Sequence, residues 1–337
     1  MNRKNKWFCV LCLILLTATV LLLFRAGRSA VVSADGTIKW VDFNVPYAAL
    51  KKTMQLDIDT YESDVHIDWI EVLAYLSCKY GGNFSQYKNG DADKVAARLQ
   101  QGETMAEIAK NYKHYDYYYE SLSAVLCEFL GEYQIEEAVD GEIQIVQKYG
   151  LKAFSPIAEG YWYSHYDDFG NSRSYGFKRT HLGNDLIGSI GTPIIAVESG
   201  YVEEIGWNQY GGWRIGIRSF DKRRYYYYAH MRKGSPYQEG LEVGSLVKAG
   251  DVIGYLGMTG YSLKEDVNNM TTPHLHFGMQ LIFNESQKEC LSEIWIDVYD
   301  IVNLLYSHRS IVVKQENSKQ LVRKYDIIDP TYVENME

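Results

Sequence analysis

His181 and Asp185 stand four apart in HLGND, His274 and His276 two apart in TPHLHFG, and His230 closes the aromatic run RYYYYAH. Imidazole nitrogen and carboxylate oxygen are donors that zinc accepts, and catalytic zinc sites commonly combine three such protein ligands with a water. Two histidines and one aspartate offset half the charge of the ion and leave one position open. A structural site would instead fill four positions, usually with cysteine. Outside an N-terminal apolar run the chain has no CxxC pair and no cysteine–histidine metal spacing. The donor set therefore points to catalysis by a metal.

Such residues need elements to aim them. On a strand, side chains two apart share a face, so HLH sends His274 and His276 one way and Leu275 into a core. A helix would align the ends of HLGND, but Gly183-Asn184 favours a turn that folds Asp185 back beside His181. Strand alternation also places Tyr226, Tyr228 and His230 on one face and Tyr225 and Tyr227 on the other, with Tyr228 either lining a groove or packed. From about 151 onward short apolar runs alternate with Gly and Asn turns (PIIAVES, GYVEEIGW, WRIGIRSF, DVIGYLG), which predicts an antiparallel β domain over 151–310. The glycines around them read as tight turns, since neither GxGxxG nor a P-loop lysine occurs. His165 is expected to pack, and the polar, aromatic stretch from Tyr161 to Thr180 to form a loop over the groove.

Ahead of this domain the pattern is helical, from about 46 to 150. Ile67, Ile70, Val72, Leu73 and Leu76 recur near a 3.6-residue period and Gly81-Gly82 stop it. Asp91 is placed to cap the next helix, and Thr104 with Glu107 forms a capping box. Tyr117 to Tyr133 reads as a further amphipathic helix. His66 and His114 are isolated and are expected at the surface or in packing. Residues 311–337 are charged and read as a peripheral tail.

Residues 7–24 (WFCVLCLILLTATVLLLF) carry no charge and approach the length that spans a bilayer. Arg3, Lys4 and Lys6 precede them, which favours a cytoplasmic tail at 1–6, a retained transmembrane helix, a linker at 25–45 and extracytoplasmic domains beyond; a signal peptide cleaved after Val32-Ser33-Ala34 is the alternative. The expected location is thus a cell membrane, single-pass. A net charge of −9 removes the basic footprint that nucleic-acid binding needs. Cys78, Cys127 and Cys290, widely spaced, predict no disulfide framework.

HLGND, GTPIIAVESGYV, YYYYAH, VKAGDVIGYLGMTG and TPHLHFG, in this order, resemble the LytM/lysostaphin-type zinc endopeptidases, peptidase family M23. The resemblance covers roughly 155–300. It implies a mainly antiparallel, LytM-like β-sheet fold, one zinc per chain and hydrolysis of peptide bonds in bacterial peptidoglycan. It implies His181, Asp185 and His276 as metal ligands, with His230 and His274 as the catalytic pair that holds the water and the developing oxyanion. The alternative on the same fold is a catalytically silent scaffold or binding partner in an envelope or sporulation complex.

Overall fold

The computed structural model describes residues 37–174, 178–288 and 292–336. The chain divides after Val41, and the unit Asp42–Glu337 holds every element named below. Among the described residues no helix is long and apolar enough to cross a membrane. That finding overturns the expected single-pass membrane location; the apolar run at 7–24 lies outside the described residues. The later part of the expected linker is not loose, since Phe43 and Val45 are buried.

The helices come first. α1 (Tyr47–Thr60) is followed by α2 (Trp69–Tyr80), whose N-terminus is capped by Asp68 accepting from the N–H groups of Ile70 and Glu71. Gly81, at φ 61°, ends it in the left-handed conformation that glycine adopts without steric cost. The capping box of Thr104 and Glu107 opens α4 (Met105–Ala109) as expected. α3 (Asn89–Gln100) differs: it begins at Asn89, so Asp91 lies in its first turn. There the Asp91 carboxylate pairs with Lys79 and Lys94 and accepts from Tyr80.

α5 (Tyr115–Leu126) is shorter than the periodicity predicts, and the helical reading fails beyond it. β1 (Leu130–Val139) and β2 (Glu142–Leu151) form a hairpin. The cause is legible in AVDGEI. Asp140 and Gly141, at φ 52° and 89°, make the two-residue turn whose twist matches paired strands.

Residues 311–336 are not a peripheral tail either. β15 (Val312–Lys314) pairs β16 (Leu321–Arg323), and β17 (Ile327–Ile328) extends the sheet of β1 and β2. Ile327 is buried in a core cluster with Tyr133, Phe154, Ile195 and Tyr255, against which Val312 and Leu321 pack. Lys314, Glu316, Lys319 and Lys324 face solvent while Ile327 is buried and Val312 and Leu321 are partly so, which the charge density of the segment conceals.

Among the described residues the main body is an eight-stranded antiparallel sheet. Its strands are β3 (Tyr163–Ser164), β6 (Asn184–Gly188), β8 (Gly200–Asn208), β9 (Gly212–Ser219), β10 (Arg224–Ala229), β11 (Leu246–Val247), β13 (His274–Leu281) and β14 (Ile294–Ile296). The path runs β11-β8-β9-β10-β13-β6-β3, with β14 added beside the end of β13. Two short pairs flank it: β4 (Ser172–Ser174) with β5 (Lys178–Thr180), and β7 (Pro193–Ile195) with β12 (Val252–Tyr255). One face of β10 and β13 packs Tyr226, Tyr228, Leu275, Phe277 and Met279 into the core. Tyr228 is therefore a packed residue, its hydroxyl accepting from the Val197 N–H.

Candidate metal centre and cleft

Register assembles the site. His276 on β13 is the direct partner of Asp185 on β6 and of Ala229 on β10. Directly opposed residues share a face, so His276, His274, Asp185, Ala229, Tyr227 and Tyr225 all point away from the core. The expected alternation of HLH holds, with Leu275 fully buried behind it. His181 lies in the bend just before β6, so Asp185 is on a strand and His181 folds back onto it.

The result is a convergence of donors. His181 Nε2, Asp185 Oδ1 and His276 Nδ1 are each 3.0 Å from the other two. His181 donates its Nδ1–H to the main-chain oxygen of Asp168 at 3.0 Å, which leaves the Nε2 lone pair facing the cluster. Three electron-rich atoms at this spacing need protons or a cation between them. Ligands about 2.0–2.2 Å from a tetrahedral zinc stand about 3.3 Å apart, so the set fits such an ion. Gly183 makes the room: a Cβ there would lie 2.8 Å from the His276 ring and 2.6 Å from the Phe277 carbonyl oxygen.

Charge follows the same geometry. Burial opposes the imidazolium form of His181, but Asp168 and Asp185 outweigh it and lift the group to about 9. Burial likewise opposes the Asp185 carboxylate, yet His181 and His276 hold it far below the usual carboxylate range. The site is thus prepared for positive charge.

His230 and His274 stand beside the cluster. Their ring centroids are 4.7 Å apart, and His230 is 6.1 Å from His276. His230 reaches the site by an irregularity. Strand alternation would turn it into the core with Tyr226 and Tyr228, but its φ of 61° reverses the chain just past β10. His230 donates Nδ1–H to the Thr259 carbonyl and His274 donates Nδ1–H to the Thr272 carbonyl, both at 2.8 Å. Each ring thereby keeps Nε2 as its free nitrogen. Burial, then the neighbouring His274 and His276, pushes His230 well below the usual histidine range, so it is neutral at pH 7.

Several partners escaped the motif reading. Asp168, 1% exposed, receives Arg173 at 2.7 Å and the Asn184 amide at 3.1 Å. Arg173 also reaches Asp185 Oδ2 at 3.3 Å, leaving Oδ1 to the cluster. No spacing links Asp168 or Arg173 to HLGND, and only the β4–β5 hairpin brings them there. Asn184, read in the motif as a turn residue, is instead the first residue of β6 and supports the site. It accepts from His165 at 2.5 Å and donates to the Tyr166 carbonyl. His165 is a supporting side chain outside the cluster, and His66 is bonded to Asp57, far from it in the chain.

A cleft of about 350 Å³ opens from the cluster along the outer face of the sheet, lined by Arg179, Tyr210, Arg214, Tyr227 and Trp295 beside His181, His230 and His276. An antiparallel sheet thus presents a His/Asp/His cluster that could hold a metal ion, with two further histidines beside it, at the head of an open groove.

Residues 179–289 match the family model Peptidase family M23. The chain is 38% identical over 117 residues to the L-Ala--D-Glu endopeptidase of Bacillus subtilis (strain 168), covering 35% of this chain and 34% of that protein. It is 42% identical over 98 residues to lysostaphin of Staphylococcus simulans, covering 29% of this chain and 17% of that protein. The match thus spans about a third of the first relative's length and under a fifth of the second's. A solved LytM-type structure from Ruminococcus gnavus covers 85% of this chain and 95% of its own, with TM-score 0.52 and 24% identity, and so shares the fold. The matched segment, residues 179–289, is thus similar to peptidase family M23.

Proposed function

We propose that this chain is a zinc metalloendopeptidase that hydrolyses peptide bonds in bacterial peptidoglycan. The single observation carrying this reading is the mutual 3.0 Å approach of His181 Nε2, Asp185 Oδ1 and His276 Nδ1 at the head of an open cleft. The endopeptidases among its relatives, one of them a peptidoglycan DD-endopeptidase of Vibrio cholerae, supply the substrate class.

In this reading His181, Asp185 and His276 hold one zinc ion per chain. When bound, zinc supplies Lewis acidity, acidifying water and polarising a peptide carbonyl. The chain's own residues do the rest. His230 and His274 present Nε2 toward the site because their Nδ1–H groups are committed to carbonyls. One imidazole, neutral, accepts the proton of the attacking water at Nε2 and passes it to the leaving amine as the C–N bond breaks; the other, in the imidazolium form with a proton taken up from solvent, hydrogen-bonds the developing oxyanion and keeps that proton. The depressed basicity of buried His230 suits a ring that passes a proton on. Tyr227 and Trp295 wall the cleft and limit water around the peptide.

The test is digestion of purified peptidoglycan by the zinc-loaded chain, with mass analysis of released fragments. New amine termini at one peptide linkage are expected. Full zinc occupancy without fragments from several peptidoglycan types would reject the hydrolytic role.

A further inference from the structure

Two arginines face each other across the β4–β5 hairpin: Arg173 is the register partner of Arg179. Like charges directly opposed on antiparallel strands repel, so the pair needs negative charge nearby. Arg173 has it, in Asp168 at 2.7 Å and Asp185 at 3.3 Å. Arg179 does not. Among the described residues no carboxylate pairs with it, and its Nε is buried without a hydrogen-bond partner. Other cations of the same cleft are neutralised, Arg214 by Glu204 and Lys288 by Glu203, each at 2.8 Å.

Arg179 is nevertheless held in place. Its guanidinium lies over the Tyr261 ring, 4.8 Å from the centroid, and that ring stacks on His230 at 5.9 Å and 18°. Stacking fixes the plane of the guanidinium and leaves its edge of N–H donors for a ligand. A buried donor with no partner is costly, and the planar fork matches a carboxylate in two parallel hydrogen bonds. The cleft position, the missing counter-charge and the opposed arginine all ask for the same thing, an anion supplied from outside.

We propose that Arg179 binds a free carboxylate of the substrate close to the scissile bond, and so directs the site to acidic stem peptides of peptidoglycan over uncharged polyglycine bridges. This rests on the hydrolytic reading above. Only one aromatic ring separates Arg179 from His230, so the carboxylate belongs to a residue at or next to the bond that is cut. A D-glutamate linked through its side chain meets that requirement, because its α-carboxylate stays free. Its amide, D-isoglutamine, keeps the shape and loses the charge.

The test compares L-Ala-γ-D-Glu-L-Lys-D-Ala with the isoglutamine form of the same peptide and with pentaglycine, using the zinc-loaded full chain. The wild type should show kcat/KM at least about tenfold higher on the carboxylate peptide, as loss of one charged hydrogen-bonding contact corresponds to roughly tenfold to a hundredfold. Arg179→Gln should lower kcat/KM on that peptide by the same order, leave the amide peptide within about twofold, and keep zinc content unchanged. Arg179→Lys should restore part of the preference. A wild type indifferent to amidation, or an Arg179→Gln chain slowed equally on both peptides, overturns the assignment. If the wild type cuts neither the peptides nor intact peptidoglycan, the hydrolytic reading fails. Calorimetric binding then judges the arginine separately: a preference for the carboxylate peptide that Arg179→Gln removes sustains it, and equal binding of both peptides overturns it.

Discussion

Three histidines at the site share one device. His181, His230 and His274 each give their Nδ1–H to a main-chain carbonyl, which fixes the tautomer and aims Nε2 inward. What then separates their roles is distance: His181 Nε2 is 3.0 Å from Asp185 Oδ1, whereas His274 Nε2 is 3.8 Å away. His181→Ala or Asp185→Ala should therefore release zinc, while His230→Ala and His274→Ala should keep it and lose roughly 10²–10³-fold or more in rate. Elemental analysis beside fragment release reads both, and zinc loss from His274→Ala with retention in His276→Ala would reverse the assignment within HLH. Asp168 acts at one remove, holding Arg173 and Asn184 against the cluster. Asp168→Ala should weaken zinc binding by about 10–100-fold with the fold intact, measured by competition with a chelator.

At the scale of elements, β13 carries the site because it pairs β10 on one side and β6 on the other through the same histidine. Beyond β13 lies β14, whose exit sets up α6 (Tyr299–Leu305) through Asp297, accepting from the Tyr299 N–H at 2.9 Å. Burial lifts the Asp297 carboxyl to about 6; the Tyr299 N–H opposes this, and Asp167 and Asp300 add to it. A carboxyl raised on folding takes up a proton in the folded state. Its stabilising contribution is present below the ordinary carboxylate pKa near 4 and is lost as pH rises through about 6. Asp297→Asn keeps an oxygen for Tyr299 and removes the charge. It should raise the melting temperature at pH 7.5 and have little effect at pH 4, read by thermal unfolding at both. Equal shifts at the two values would show that the effect is not this titration.

Across the whole molecule, helices and sheet are tied by a buried cation. Arg224 at the start of β10 is fully buried and pairs with Glu198 at 2.8 Å and Asp221 at 2.9 Å, and it donates to the Ala124 carbonyl of α5 at 2.8 Å. Removing one partner of such a pair strands the other in a medium that cannot solvate it. Arg224→Met should cost about 3–5 kcal/mol in denaturant unfolding, and Arg224→Met with Glu198→Gln should recover much of that. A single variant of wild-type stability would show that the pair does not bind the two parts together.

The sequence by itself determined the mainly antiparallel β character of the later domain, the glycine stop of α2 and the capping box of α4, and it offered His181, Asp185, His230, His274 and His276 as candidates, because each depends on spacing or local hydrogen bonding within a few residues. HLH needs only the two-residue strand period, and the Thr104 box only one helical turn. AVDGEI was equally local, and its hairpin was missed because amphipathic helical spacing upstream was carried through it. What the tertiary structure decided is what no local period encodes. The β6–β13–β10 register sets Asp185 opposite His276, although 91 residues separate them. A left-handed φ at His230 overrides the strand alternation that would turn it away from the site. Asp168 and Arg173 join the cluster only through the fold of a hairpin, and the apolar side chains of 312–327 find a core only when β17 meets β1. Local geometry follows from neighbours in the chain, whereas a site with open coordination depends on where distant strands stop, and that is set by packing.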